Sequence, residues 1–289
     1  MPATLIDGKK LAETELAALR QRTAALPRPP RLVLLAQEAA AASVFLVAKQ
    51  RAAHTAGIDV RLVTYPDDVS ATALSARVND VAQVAATDGV VVQLPLPRHL
   101  DGNRQGILRI LPEVKDVDCL SERWLGRLVT GRMTVMTKHH EVEIMPPVVA
   151  ACARILEELN CRPEGKHVVV VGWGDLVGKP VAAWFLNQGA TVTVATSTEQ
   201  NLASIVRMGE IVVSGAGVPG LITGDMIRPN AVLLDAGTTS VAGTLRGDID
   251  TASVMEHAGA LAPVPGGLGP LTVAMLLRNV VAVAGGGSE

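Results

Sequence analysis

The chain has 289 residues, of which 48% are apolar and 2% aromatic, and its 26 basic and 28 acidic side chains give a net charge of −2. This length predicts one large or two modest domains, with enough apolar residues for a buried core. The balanced charge and the scarcity of aromatic rings argue against a nucleic-acid-binding protein.

The first half of the chain alternates helices and strands. The predicted elements are, in chain order, a helix over 9–25, a strand over 31–36, a helix over 39–56, a strand over 59–65, a helix over 70–85 and a strand over 89–93. Such alternation is typical of parallel βαβ units, in which helices cover both faces of the sheet.

A polar stretch over 130–147 interrupts the alternation and predicts a domain boundary near residue 140. Its adjacent histidines, His139 and His140, lack a suitably spaced carboxylate or cysteine, so no metal site is expected. A second series follows, with a helix over 148–159, a strand over 167–172, a helix over 177–188, strands over 191–195, 211–214 and 231–235, and a last helix over 270–284. The predicted fold class is therefore α/β, with two βαβ domains, the second being a Rossmann-like doubly wound parallel sheet.

The mean hydropathy of +0.32 prompts a search for a membrane segment. The most apolar C-terminal stretch, 271–284, is interrupted by Arg278 and Asn279 and falls short of the roughly 18 apolar residues that a spanning helix needs. Asp7 and Lys9 come too early for a secretory signal. The three cysteines have neither metal-site nor disulfide spacing, and they indicate reduced thiols in a cytoplasmic protein: Cys119, Cys152 and Cys161.

A glycine-rich turn joins the strand over 167–172 to the following helix. Its glycines, Gly172, Gly174 and Gly178, are spaced one residue more widely than in the usual dinucleotide fingerprint. Glycines in this place allow a pyrophosphate to approach the backbone at the positive end of a helix. The turn therefore predicts a dinucleotide site, with a tight structural turn as the alternative.

Three polar residues in the first half are candidates for chemistry. Gln93 closes an apolar strand, and the carboxyl ends of parallel strands face the ligand crevice in such folds. Lys49 lies in an alanine-rich helix. The alternative to a chemical role is that its charged end simply reaches solvent at the helix edge. Asp118 lies in a loop, two residues after Asp116.

Four motifs follow one another in an order that resembles one known family. They are Asp88-Gly-Val-Val-Val-Gln-Leu-Pro-Leu-Pro97, Lys115-Asp-Val-Asp118, the turn from Gly172 to Pro180, and Pro263-Val-Pro-Gly-Gly-Leu-Gly-Pro-Leu-Thr272. Together they resemble the bifunctional methylenetetrahydrofolate dehydrogenase/methenyltetrahydrofolate cyclohydrolase family over nearly the whole chain.

The resemblance implies an activity and an architecture. The family oxidises 5,10-methylenetetrahydrofolate to the 5,10-methenyl compound with NADP or NAD, and hydrolyses that compound to 10-formyltetrahydrofolate. It implies a folate-binding catalytic domain over 1–140, a Rossmann-like domain over 141–268, a folate cleft between them, and a C-terminal helix over 269–289 that packs on the first domain. A homodimer is also implied, without nucleic acid or membrane as a partner.

Site residues follow from the same resemblance, and no metal site is among them. The catalytic residues are Lys49, Gln93 and Asp118. The substrate-binding residues are Phe45, Leu94, Pro95, Asp118, Pro265, Gly266 and Gly267. The cofactor-binding residues are Gly172, Trp173, Gly174, Asp175, Val177, Gly178, Thr196, Ser197, Gly215 and Thr238.

Several positions depart from the family pattern and indicate a divergent member. Phe45 stands where the family usually has tyrosine, one helical turn before Lys49, and its missing hydroxyl predicts a weakened hydrolytic step. Trp173 stands where NADP-using members often have arginine. Glu199 would repel a 2′-phosphate, or it could instead stabilise the start of a helix. These changes slightly favour NAD over NADP.

Two alternatives stay open at this point. One is a dehydrogenase-only or altered-substrate oxidoreductase on the same fold, which the changes at Phe45 and Trp173 permit. The other is a non-catalytic homologue that binds folate or a protein partner. The joint presence of Lys49, Gln93 and Asp118 argues against this second alternative, since a pure binding protein has little use for Lys49.

Overall fold

A computed structural model describes residues 2–137, 141–241 and 243–285 of the chain. His139 and His140, at which the sequence predicts no metal site, lie outside the described residues. The peptide bonds Leu94–Pro95 and Val264–Pro265 are cis.

Contacts between Cα atoms divide the chain into two units. The large-sheet unit comprises Met1–Ala12 and Val148–Thr272, and the small-sheet unit comprises Glu13–Pro147 and Val273–Glu289. Each unit therefore combines chain segments that are far apart in sequence.

The α-helices of the described residues are α1 (Gly8–Ala24), α2 (Val44–Thr55), α3 (Ala71–Gln83), α4 (Arg104–Leu108), α5 (Glu122–Val129), α6 (Pro147–Glu158), α7 (Gly178–Asn187), α8 (Leu202–Met208), α9 (Thr251–Val254) and α10 (Leu268–Gly285). Short 3₁₀ helices cover Glu38–Ala40, Arg98–Asn103, Glu113–Lys115 and Gly224–Met226. The strands are β1 (Thr4–Leu5), β2 (Arg31–Gln37), β3 (Asp59–Tyr65), β4 (Gly89–Val92), β5 (Thr134–Met136), β6 (Glu141–Glu143), β7 (His167–Val171), β8 (Thr191–Ala195), β9 (Ile211–Ser214), β10 (Val232–Asp235), β11 (Thr239–Val241), β12 (Thr244–Arg246) and β13 (Ala260–Ala262).

The small-sheet unit is built on three parallel strands in the order β3-β2-β4. Leu34 of the central strand packs with Leu46 of α2 and Leu276 of α10. Leu35, on the opposite face, packs with Leu74 of α3. A strand that is buried on both faces needs apolar residues throughout, which explains the continuous apolar run of β2.

Helix α10 is the one helix of the described residues whose length and composition would suffice to cross a membrane, and half of it is buried. It has 18 residues, more than the sequence pattern predicts. Leu276, Leu277, Val280 and Val281 of this helix belong to the core of the small-sheet unit. The apolar composition of α10 is thus accounted for by packing.

The large-sheet unit is built on six parallel strands in the order β1-β13-β10-β9-β7-β8. From β7 the chain passes through α7 to β8 on one side, and then through α8 to β9 on the other side of β7. The direction of winding therefore reverses at β7 and β9. In open α/β sheets, ligands bind beyond the carboxyl ends of the strands at this switch point. This arrangement is the predicted doubly wound sheet.

The structure differs from the predicted domain boundaries at the start of the chain. Residues 1–12, predicted in the first domain, group with the large-sheet unit because β1 pairs with β13, Thr4 opposite Ala260 and Leu5 opposite Leu261. The boundary predicted near residue 140 falls after Pro147 instead, since the antiparallel hairpin of β5 and β6 belongs to the small-sheet unit.

Helix α2 begins later than the predicted helix over 39–56. Ser43 is its N-cap, with extended backbone, and the Ser43 hydroxyl accepts a hydrogen bond from the Leu46 amide. Ser43 thereby satisfies one of the free amides in the first turn of α2, which explains why the helix begins after this residue and not at residue 39.

Candidate functional site

Lys49 and Gln93 form a direct hydrogen bond in the small-sheet unit. Lys49, in the middle of α2, donates from Nζ to Oε1 of Gln93 over 2.9 Å. The amide nitrogen of Gln93 donates in turn to the Leu94 carbonyl at 2.7 Å, and its backbone amide donates to the Leu35 carbonyl at 2.8 Å. Because an ammonium group only donates, the Gln93 amide is held with its oxygen towards the lysine.

Asp118 lies close enough to Lys49 for the two charges to interact. Burial raises the pKa of the Asp118 carboxyl, and the positive charge of Lys49 opposes that rise. The structure therefore brings together Lys49, Gln93 and Asp118, which the sequence predicts as catalytic. An amine, an amide and a carboxylate side by side can hold a planar polar ligand and move a proton.

The loop that carries Asp118 is held by two buried polar side chains that sequence reasoning missed. Asp116 accepts hydrogen bonds from the backbone amides of Leu120 at 3.3 Å and Ser121 at 3.0 Å. Asn279 of α10 donates to the Val117 carbonyl at 2.9 Å. These bonds fix the backbone on both sides of Asp118. The sequence signal for Asp116 was its place in the motif Lys115-Asp-Val-Asp118, two residues before Asp118.

Asp116 predicts a dependence of stability on pH. Burial raises the pKa of Asp116 to about 6, although hydrogen bonds from Ser121 and Leu120 oppose the rise. The folded state therefore binds this proton more tightly than the unfolded state, and the stability that the proton confers is lost as pH rises from about 4 through 6. By linkage, the loss reaches at most about 3 kcal/mol.

Asp116→Asn is expected to remove this dependence. Urea unfolding at several pH values between 4 and 7 should show the variant gaining stability relative to the unaltered protein as pH rises. Asp101→Asn, at an exposed position, serves as the control. Parallel curves for the unaltered protein and Asp116→Asn would contradict the expectation.

The predicted folate-contacting residues of the small-sheet unit are close in sequence to Lys49 or Gln93. Phe45 lies one turn before Lys49 on α2, and 45% of its surface is exposed. Leu94 is half-buried and Pro95 exposed, directly after Gln93. All three therefore have surface available for a ligand.

The glycine-rich turn of the large-sheet unit lies at the switch point. Gly172 directly follows β7 and has a φ of +100°, a conformation that favours glycine. A Cβ atom at Gly178 would lie 2.1 Å from the Gly172 carbonyl oxygen, and one at Gly215 would lie 2.6 Å from Val177. Glycine is thus required for these turns to pack, and the turn leads into the N-terminus of α7, the end of a helix that attracts anions.

The other predicted residues of this turn are accessible. Half of the surface of Trp173 is exposed, and a Cβ at Gly174 would meet no atom within 4 Å. Asp175 forms an ion pair with Lys179, Nζ to Oδ1, at 2.5 Å. This pairing places a cation against the one carboxylate of the turn, which lowers the repulsion of a bound phosphate.

Thr196, Ser197 and Thr238 follow the carboxyl ends of β8 and β10 and are exposed at the same edge of the sheet. The Glu199 carboxylate accepts a hydrogen bond from the Asn201 amide at 2.8 Å, at the start of α8. Glu199 lies before the N-cap Asn201, and the first turn of α8 has no acidic residue, so Glu199 does not take the helix-turn position that the sequence left open as the alternative.

The predicted loop 265–267 lies in the large-sheet unit, after β13. Gly266 has a φ of +104°. A Cβ at Gly8 would lie 1.8 Å from the Gly267 carbonyl oxygen, so the N-terminal segment packs directly against this loop. Gly8 was not predicted as part of the site, although it stands in the motif Ile6-Asp-Gly-Lys9.

Across residues 2–137, 141–241 and 243–285, no three His, Cys, Asp or Glu side chains converge to hold a metal ion. Cys119 and Cys152 are buried free thiols, and Cys161 is a partly exposed one.

The fold and these sites define an α/β enzyme with a Rossmann-like NAD(P)-binding unit and a second unit that carries a lysine, a glutamine and an aspartate in one cluster. Family models give the same assignment. The catalytic domain of tetrahydrofolate dehydrogenase/cyclohydrolase matches residues 6–118, and the NAD(P)-binding domain of tetrahydrofolate dehydrogenase/cyclohydrolase matches residues 146–286. The chain belongs to this family.

Individual relatives span the whole chain. The bifunctional protein FolD of Exiguobacterium sibiricum is 36% identical over 286 residues, covering 98% of this chain and 99% of the relative. The crystal structure of the bifunctional FolD enzyme from Campylobacter jejuni is 28% identical with a TM-score of 0.89, covering 98% of both chains. The FolD enzyme of Trypanosoma brucei, complexed with NADP cofactor and inhibitor, is 34% identical with a TM-score of 0.88, again covering 98% of both chains.

Proposed function

We propose that this protein oxidises 5,10-methylenetetrahydrofolate to 5,10-methenyltetrahydrofolate with NAD(P) and hydrolyses the product to 10-formyltetrahydrofolate. The observation that carries the proposal is the contact of Lys49 with Gln93 beside Asp118, in a chain that matches both domains of the family.

The large-sheet unit is proposed to hold the dinucleotide. A cradle in which Cβ atoms at Gly172, Gly178 and Gly215 would all clash fits a pyrophosphate lying close to the backbone. The residues of this turn would hold the cofactor, which would supply an acceptor for the hydride of the methylene carbon. The residues of this unit contribute by binding and orienting the cofactor, with Thr196, Ser197 and Thr238 exposed along the same edge.

Asp118 is proposed to orient the pterin. A carboxylate can accept two parallel hydrogen bonds, from the exocyclic amino group and from the adjacent ring N–H of the pterin. Lys49 next to Asp118 favours the charged carboxylate that such a contact needs. Phe45, Leu94 and Pro95 offer exposed or half-buried apolar surface in the same unit.

Lys49 is proposed to relay protons in the hydrolytic step. Water adds to the methenyl carbon of the cationic substrate, the bond from that carbon to N5 breaks, and one proton is released in the net reaction. An amine at this place can accept a proton from the attacking water and pass it on. Gln93 holds Nζ of Lys49 in one orientation without adding a charge.

A dehydrogenase with a weakened hydrolytic step is the second candidate, and Phe45 is the observation that favours it. Phe45→Tyr is expected to raise the hydrolytic rate relative to the dehydrogenase rate by about tenfold, since one hydrogen bond to a charged group is worth about 1.5–3 kcal/mol. Both rates are measured by absorbance on the same preparation.

Val44→Thr adds a hydroxyl to a neighbouring exposed position of α2 and should leave the ratio of the two rates unchanged. An equal ratio in Phe45→Tyr and the unaltered protein would remove the support for a weakened hydrolytic step.

The proposed cofactor preference is for NAD. Trp173 supports it, since an indole offers no positive charge to a 2′-phosphate. The Glu199 carboxylate accepts a hydrogen bond from the Asn201 amide, so it is a weaker argument against a bound 2′-phosphate than the sequence suggested. Steady-state rates with NAD and with NADP decide the preference.

A homodimer and a cytoplasmic location complete the proposal. The dimer is supported by the family resemblance, and the location by the three free thiols. Light scattering during size-exclusion chromatography measures the oligomeric state directly.

One assay tests the proposed function. Methylenetetrahydrofolate is supplied with NAD or NADP, and the absorbances of the methenyl product and of the reduced cofactor are followed together. Methenyl compound that forms and then drains to the formyl compound supports both activities. Its accumulation supports the dehydrogenase alone, and absence of turnover with either cofactor would contradict the proposal.

A further inference from the structure

A buried carboxylate holds the turn that follows β9. Asp248 has no exposed surface. Its Oδ2 accepts from the Ser214 hydroxyl at 2.8 Å and from the amides of Ala216 at 2.7 Å and Gly217 at 3.2 Å. Its Oδ1 accepts from the Val218 amide at 2.8 Å. Four donors from one short segment therefore converge on a single side chain.

Only an acceptor without protons of its own can satisfy such a set. A carboxylate offers about four acceptor positions, whereas the amide of asparagine would turn an NH₂ group towards one pair of donors. Three successive amides that face one anion also form a nest, a backbone conformation that binds negative charge. Asp248 fills this nest from within the protein, so its amides are not available for the phosphates of a ligand.

The turn fixed by Asp248 packs directly on the glycine-rich turn. Gly215 lies between the bonded residues Ser214 and Ala216. A Cβ at Gly172 would lie 2.7 Å from the Gly215 carbonyl oxygen, and a Cβ at Gly215 would lie 2.6 Å from Val177. Because the two turns are in direct contact, through the Gly215 backbone and the Val177 side chain, a shift of one moves the other.

A second buried carboxylate fixes Asp248 itself. Asp235, at the end of β10, accepts from the amides of Gly237 at 3.0 Å, Asp248 at 3.1 Å and Ile249 at 2.9 Å. A Cβ at Gly237 would lie 2.1 Å from the Asp248 carboxylate. Asp235 therefore holds the backbone of Asp248, and Asp248 holds the turn after β9. The two carboxylates thereby connect the turns after β9 and β10.

We propose that Asp248 is a positioning residue for NAD(P): it fixes the turn over 215–218, and through Gly215 it sets the Gly172 turn against which the dinucleotide lies. The inference rests on the proposed function, since it assigns Asp248 to the same cofactor site. Asp248 acts through the backbone and does not touch the cofactor.

Two variants test the inference. Asp248→Asn removes acceptor positions at nearly constant shape, and Ser214→Ala removes a single donor if the first variant does not fold. The Kd for NAD and NADP is measured by isothermal titration calorimetry, and hydrolysis of methenyltetrahydrofolate, which needs no cofactor, is measured on the same preparations. We expect the Kd of the preferred cofactor to rise about tenfold in Asp248→Asn and about threefold in Ser214→Ala, with the hydrolytic kcat unchanged.

Asp250→Ala separates positioning from stability. Asp250 lies two residues from Asp248 and caps α9 by accepting from the amides of Ala252 and Ser253. Its loss should lower Tm and leave the cofactor Kd unchanged. An unchanged Kd in Ser214→Ala and in folded Asp248→Asn, or a hydrolytic rate that falls in parallel with cofactor binding, would overturn the inference. Failure of the unaltered protein to bind either cofactor would overturn the proposed function itself, and this inference with it.

Discussion

Lys49→Gln is expected to lower the kcat for hydrolysis of methenyltetrahydrofolate by about 10²–10⁴-fold, the usual contribution of a general acid–base residue. The glutamine amide retains a donor for Gln93 but cannot accept and pass on a proton at neutral pH. The hydrolytic rate is measured by the decay of methenyl absorbance, after subtraction of the spontaneous rate. Binding of NAD(P) to the large-sheet unit should be unchanged, because Lys49 lies in the small-sheet unit.

Arg51→Gln is the matched control for this substitution. It removes the same charge from an exposed position two residues further along α2. A fall in hydrolysis of similar size in both variants would assign the effect to net charge and contradict a proton relay at Lys49. A normal rate in Lys49→Gln would contradict it directly.

Gly178→Ala is expected to raise the Kd for NAD(P) by about 100-fold, the scale of loss that follows from displacing a binding group by roughly 1 Å. The added Cβ would lie 2.1 Å from the backbone oxygen of Gly172, and a backbone atom cannot yield as the end of a flexible side chain can. Calorimetric titration with each cofactor measures the loss, and the dehydrogenase rate at fixed cofactor should fall with it.

Gly126→Ala controls for the glycine-to-alanine change itself. Gly126 lies in α5, and a Cβ there meets no atom within 4 Å. This variant should bind cofactor normally and gain up to about 1 kcal/mol of stability from the better helix propensity of alanine. Normal cofactor binding by Gly178→Ala would contradict the expectation and show that the glycine-rich turn can accommodate a Cβ atom at residue 178.

Local patterns predicted most of the regular elements because each carries its own signal. The strands at 59–65, 191–195 and 211–214 agree with the structure residue for residue, and Ser70 caps α3 as the pattern indicates. By contrast, β1 has only two residues, and nothing in them indicates that they pair with β13, far along the chain.

The residues of the candidate site likewise differ in whether the sequence could predict them. Lys49, Gln93 and Asp118 stand in motifs, so a resemblance could place them, and the structure brings them together. No role was predicted for Asp116, although it stands in the motif Lys115-Asp-Val-Asp118, nor for Asp235 or Asp248. Their partners are mostly backbone amides, which every sequence contains, and the contacts exist only once the turns have formed. Residues that orient a site through the backbone are therefore the ones that sequence reasoning misses.

The way in which the chain divides has a consequence for any attempt to work with half of this protein. The division falls within α1, after the first residue of α6 and within α10, so neither unit is one continuous stretch. A fragment that stops at residue 147 would lack Leu276 and Val280 from its core, and a fragment that starts at 148 would lack the edge strand β1. The N-terminal end of the chain thus supplies part of the large-sheet unit and the C-terminal end part of the small-sheet unit, so neither half of a chain cut after residue 147 contains a complete unit.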